Sequence, residues 1–206
     1  MLIKKTLGLT LLLSVGFSFQ NCDFCNCPKL EGEYMDLQAM SAFNYKKRGE
    51  CCAEVAAAGD RVALADHHLG VRFAVTYYSA VPAPARRASW SLMNSALACD
   101  CIDNGYMGSK ERVQEFTVTT INDFDAQHLA NDTLNDLLQI QLSPTDIRDL
   151  TTHLKNDTSR TRNIGSSYTL RLKKKPALNP EFRVRVKVRL DNGETYSSDT
   201  TPVVLQ

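Results

Sequence analysis

Residues 182–197 read FRVRVKVRLDNGETYS. Phe182, Val184, Val186, Val188 and Leu190 alternate strictly with Arg183, Arg185, Lys187 and Arg189. Successive side chains of an extended chain point to opposite faces, so this period of two predicts a strand with one buried and one wet face. Asp191-Asn192-Gly193 supplies the turn, because Asn and Gly tolerate positive φ. Glu194 to Ser197 returns as the partner strand. Working outward, Tyr168 to Leu172 alternates in the same way, and Pro202 to Leu205 reads as a closing edge strand.

Further upstream, Val71 to Val81 (VRFAVTYYSAV) is rich in β-branched and aromatic residues, with Val71, Phe73, Val75 and Tyr77 on one face. Pro82 and Pro84 end it, since proline cannot donate to a ladder. Val113 to Ile121 is another strand, and Tyr34 to Tyr45 a third with a break near Ser41. Helix signals are fewer. Ser143 can cap, Pro144 fits a first helical position, and Ile147, Leu150 and Leu154 share a face, which predicts a helix over 144–155. Asp132 is placed to cap a shorter one carrying Leu134, Leu137 and Leu138, while residues 53–66 are Ala-rich and ambiguous. The sum is a mainly β chain: an antiparallel β-sandwich, Ig-like in general shape, with one or two short helices in a long connection.

The chain has 206 residues, 43% hydrophobic and 23% charged, with a net charge of +1, which suits one packed domain and excludes general disorder. No apolar run reaches the roughly 18 residues a membrane-spanning helix needs. Residues 1–21 read as a secretory signal, with Lys4 and Lys5 before an apolar stretch from Thr6 to Phe19. Cys22 follows directly and has the place of the acylated cysteine of a bacterial lipoprotein, although Asn21 stands where a small residue is usual; cleavage after Ser18 is the alternative. Residues 22–32, polar and containing Pro28 and Gly32, then form a tether, and residues 33–206 a single disulfide-stapled β domain.

Cysteine parity agrees with an acylated Cys22. Of seven cysteines, six remain, as the doublets Cys25/Cys27, Cys51/Cys52 and Cys99/Cys101. An exported protein meets an oxidising compartment, so disulfides are expected. Bonds run between doublets rather than within them, because a bridge prefers a Cα separation of about 5.5–6 Å and adjacent residues lie only about 3.8 Å apart. Six cysteines leave the pairing open. A thiolate metal site has the wrong spacing once Cys22 is acylated, and Cys99-Asp100-Cys101 lacks the C-x-x-C spacing of a redox pair.

The lipoprotein-type start, the segment ALACDCIDNGYMGSKERVQEFTVTTINDFDAQHLANDTLNDLL (residues 96–138) and the basic hairpin ending in TTPVVL together resemble uncharacterised secreted lipoproteins of Bacteroidetes, grouped as a domain of unknown function. That resemblance implies an envelope location and a mostly β domain. It implies no activity and no functional residues.

Charge is unevenly spread. Without Lys4 and Lys5 the mature chain is −1, yet residues 171–190 hold eight bases (Arg171, Lys173, Lys174, Lys175, Arg183, Arg185, Lys187, Arg189) and only Glu181 as an acid. The strand face of Arg183, Arg185, Lys187 and Arg189 is therefore a candidate polyanion site, for an acidic glycan or an envelope protein; export excludes nucleic acid. The plain reading of that face is solvated charge opposite cross-strand acids such as Glu194. Asp123, Asp125, Asp132 and Asp136, with Asp100 and Asp103 before them, form an acidic cluster that invites comparison with a calcium loop but lacks the EF-hand pattern. His67, His68, His128 and His153 have no zinc-protease spacing and read as exposed loop residues. Trp90, Met93 and Leu97 read as core. No G-x-S-x-G elbow, Walker loop or dinucleotide fingerprint occurs. The expectation is an exported, lipid-anchored envelope protein, on the outer rather than the inner membrane, without cofactor or metal. It would act as a non-enzymatic interaction or structural module. The alternatives are an envelope hydrolase whose carboxylates converge only in three dimensions, and a metal- or calcium-binding domain.

Overall fold

A computed structural model describes residues 30–48, 52–79, 103–156 and 166–206. The signal, most of the tether, Trp90 and all the cysteines but one lie outside the described residues; Cys52 contributes backbone to a strand.

The chain is mainly β, with antiparallel sheets and a lone short helix, consistent with a β-sandwich. In order the strands are β1 (Tyr34–Arg48), β2 (Cys52–Val55), β3 (Arg61–Val62), β4 (His67–Tyr78), β5 (Val113–Thr120), β6 (Leu138–Gln141), β7 (Ile147–Asp149), β8 (Ser167–Leu172), β9 (Glu181–Phe182), β10 (Val184–Leu190), β11 (Thr195–Asp199) and β12 (Val203–Leu205). The helix, α1 (Leu150–Asn156), follows β7. One sheet has six strands in the order β2-β1-β4-β8-β6-β7. Two three-stranded sheets, β11-β10-β5 and β3-β12-β9, complete the fold.

Alternation sorts the side chains. Leu69, Val71 and Phe73 of β4, Leu170 and Leu172 of β8, and Leu138 and Ile140 of β6 are buried, and join Val184, Val186, Val188 and Leu190 of β10 in one apolar cluster. Polar ties stitch the layers at one side. Tyr196 donates its hydroxyl to the Leu37 carbonyl at 2.7 Å, and Asn44 donates to the Thr201 carbonyl at 2.7 Å. Phe182 meets His67 edge to face at 5.2 Å, inside the same core.

Several sequence expectations change in detail. The alternating run breaks at Arg183: Phe182 pairs with Val203 in one sheet, while Val184 pairs with Thr120 in another. One amphipathic segment thus crosses between sheets without losing its inner face. β12 is not an edge; it lies between β3, to which it is parallel, and β9. β1 runs unbroken through Ser41, and its irregularity lies at Leu37/Ala39. The helix expected over 144–155 begins only at Leu150, because Ile147–Asp149 pair with Gln139–Gln141 and the Ser143 hydroxyl accepts the Asp146 N–H within a hairpin turn. Residue Asp132 caps no helix. Its carboxylate accepts the Leu129 N–H, and Asn135–Leu137 form only a 3-10 turn. In the turn after β10, Gly193 has a φ of 92°, the left-handed conformation that favours glycine.

Leu170 sits at the centre of the six-stranded sheet, wholly buried and paired on both sides. Leu170→Ala is expected to lower unfolding free energy by about 2–5 kcal/mol, measured by urea titration, because a central cavity remains.

Candidate functional site: the two outer sheet faces

On the outer face of β11-β10-β5 the bases of β10 do not stand alone. Arg185 makes two bonds to Asp199, at 2.7 and 3.0 Å, and Arg183 approaches the same carboxylate at 3.7 Å. Arg189 donates to Glu115 at 3.1 Å, and Lys187 lies 3.7 Å from it. The cross-strand register explains this: Arg185 faces Asp199, and Arg189 faces Glu115. Glu194, the acid named from sequence, instead accepts a bond from Tyr196. A hydroxyl bond from Thr117, and then Arg189, hold the Glu115 carboxyl below the usual range; Arg185 does the same for Asp199. The candidate polyanion face is therefore a lattice of pinned ion pairs carrying four bases against two carboxylates.

Pairing extends to the rest of the basic segment. Lys173 pairs with Asp149, and Lys174 with Asp125 at 2.8 Å. The charge asymmetry seen along the sequence is thus largely folded onto itself. Arg171 and Lys175 have no carboxylate partner among the described residues.

The acidic cluster disperses in the same way. Asp125 accepts the backbone N–H groups of Gln127 and His128, and His128 bridges from Asp125 at 2.9 Å to Asp136 at 3.2 Å. Asp123 accepts the Ala130 N–H. These carboxylates each accept backbone donors or pair with cations. Among the described residues no group of three or more His, Cys, Asp or Glu side chains is placed to hold a metal ion. For His128, burial pushes the pKa down, but Asp125 and Asp136 outweigh it and raise it. For Asp125, the Lys174 and His128 bonds lower it strongly.

Two of the histidines expected in exposed loops lie instead in a strand. His67 and His68 are buried neighbours on β4. His67 faces inward, bonded to Asn44 at 3.0 Å, and burial pushes its pKa down to about 3, so it is a neutral core residue. His68 faces outward, where Tyr45 of β1 stacks on it at 5.0 Å with the rings 16° apart. The Tyr45 hydroxyl donates to Thr169 of β8 at 3.1 Å. These residues line an open cleft of about 270 Å³. Its floor is His68 and Thr169; Tyr45, Lys47 and Ala53 form one side, and Gln141, Leu142, Ser143 and Pro144 the other. Arg171 lies two residues along β8 from Thr169, on the same face and opposite Gln139. Burial, and then the charges of Arg171 and Lys47, lower the His68 pKa. Arg72 sits 5.6 Å over the Phe43 ring on the same face, and that ring covers Gly70, where a Cβ would stand 2.5 Å from it.

No local sequence pattern marks this site. Its residues come from five strands and a hairpin turn, separated by up to 124 positions, and each is ordinary alone. Adjacent residues of a strand point to opposite faces, and that rule flags His68 once the strand predicted from Val71 is extended back to His67. No family model, curated protein or solved structure matches the chain.

Two outcomes follow. His128 gains its carboxylate partners on folding, so its pKa is raised above the unfolded value of about 6.5. Its contribution is full below that value and is lost as pH rises through the folded pKa. The stability gap between wild type and His128→Gln should shrink between pH 6 and pH 8.5 in urea titrations, with the wild type the more stable at pH 6. Separately, Glu115→Gln with Asp199→Asn removes the compensating carboxylates. Each change should cost about 1 kcal/mol or less, as for exposed pairs, and the double variant should elute later than wild type from heparin.

Proposed function

We propose that this chain is an exported, lipid-anchored envelope protein that works by binding and not by catalysis. The Lys4/Lys5 start, the apolar stretch and Cys22 support export and acylation. Strand β1 begins at Tyr34, twelve residues beyond Cys22, a length that fits a short tether between an acyl anchor and the β domain. Several acyl chains hold a protein at a bilayer, since each buried methylene adds about 0.8 kcal/mol.

The observation that carries the binding reading is the use made of the titratable groups. Asp125 and His128 fasten the 125–136 loop. Glu115 and Asp199 bind the bases of β10. The neutral His67 packs against Phe182. Each is committed to holding the fold, whereas an acid–base catalyst needs a group poised towards substrate. The bases left without carboxylates, with aromatic rings beside them, suit recognition of an acidic partner. An acidic glycan or an envelope protein meets that description. The outer membrane is the proposed location.

Intact mass and thiol counting on protein purified from its native membrane fraction test this. The expected result is a chain starting at acylated Cys22 with no free thiol among Cys25, Cys27, Cys51, Cys52, Cys99 and Cys101. A chain starting upstream of Cys22, or free thiols in those doublets, would overturn the anchor or the disulfide staples respectively.

A further inference from the structure

We infer that the cleft between Tyr45 and the Gln141–Pro144 hairpin binds an acidic saccharide, a sugar unit bearing a carboxylate. This deepens the proposed binding role and rests on it.

Three independent features meet there. First, the cleft has a rigid aromatic side. Tyr45 is fixed by stacking on His68 and by its bond to Thr169, so little side-chain freedom is lost when a ligand packs on it. Sugar rings carry faces of C–H groups that pack on such surfaces. Second, the charge there is unspent. Lys47 lines the cleft and Arg171 lies beside it, and neither has a carboxylate partner among the described residues. None of the lining residues is acidic. A guanidinium and an ammonium beside a cleft favour a carboxylate. Third, Gln141, Ser143 and Thr169 supply hydroxyl and amide groups of the kind that sugar hydroxyls bond.

The opposite sheet offers the contrast. The β10 face has more bases, but Glu115 and Asp199 already hold them, and it carries no aromatic ring among Arg185, Lys187, Arg189 and their cross-strand neighbours Thr117, Thr119, Thr195 and Ser197. An acidic peptide would answer the charge of the cleft but not its ring surface. At about 270 Å³ the cleft lies just under the range of drug-sized ligand pockets, which begins at about 300 Å³. That size suits one sugar unit seated in the open cleft, with the rest of a chain running over the sheet.

The test is calorimetric titration of the mature full-length protein with trigalacturonate, with its neutral galactose counterpart and with hexaglutamate. Trigalacturonate should bind, with the neutral trisaccharide at least tenfold weaker and hexaglutamate weaker still. Tyr45→Ala and the pair Lys47→Ala/Arg171→Ala should each lower trigalacturonate affinity at least tenfold, while Tyr45→Phe, which keeps the ring, should stay within about threefold. Arg185→Ala/Lys187→Ala should leave it unchanged. Equal binding of hexaglutamate, no binding of trigalacturonate, or loss on the β10 changes but not on Tyr45→Ala would overturn the site. Mass analysis of the same preparation separates the two proposals. Failure to bind by a chain acylated at Cys22 overturns the saccharide site alone. Binding by a chain that starts upstream of Cys22 overturns the anchor alone.

Discussion

Strand β10 lies hydrogen-bonded between β5 and β11, with four aliphatic side chains turned inward and three bases turned out. Everything else in the molecule accommodates that two-sided strand. Its inner row of Val184, Val186, Val188 and Leu190 is almost wholly withdrawn from water and requires a second apolar layer, which the six-stranded sheet provides. Each such side chain contributes about 1.5–3 kcal/mol when fully buried. The outer row requires counter-charges, because like charges crowd along one face of a strand. Glu115 and Asp199 supply them from the two flanking strands.

The same electrostatic logic runs through the segment before it. Bases concentrated between residues 171 and 190 meet acids drawn from 115, 125, 149 and 199. Exposed pairs of this kind each contribute little to stability. Their effect is on register and on the surface field: they keep strands aligned and cancel a charge that would otherwise dominate one side. Of the bases without a carboxylate partner among the described residues, Arg171 and Lys47 stand beside the cleft with its stacked Tyr45–His68 pair.

Where sequence and structure diverge, a tertiary demand overrode a local one. The 144–155 stretch has capping and periodic signals for a helix, yet Ile147–Asp149 extend the edge of a sheet, since pairing with β6 satisfies their backbone groups and leaves the helix to start at Leu150. Asp132 has the chemistry of a cap but meets the Leu129 N–H in a turn instead. Pro202–Leu205 reads as a closing edge strand, yet β12 lies between β3 and β9. Its second partner, β3, lies more than a hundred residues upstream, and parallel pairing over that distance leaves no local trace.

The sequence by itself determined the β character, the inner and outer faces of β4, β8 and β10, and the turn at Gly193, because alternation and turn chemistry are local properties of the chain. Only the tertiary structure decided which acid meets which base, where the amphipathic run crosses from one sheet to another at Arg183, and that Tyr45, His68, Thr169 and Gln141 share a cleft. Those outcomes depend on strand order and register. The reason is physical: a strand's own residues dictate which face is buried, but its neighbours are chosen by the free energy of the whole assembled core.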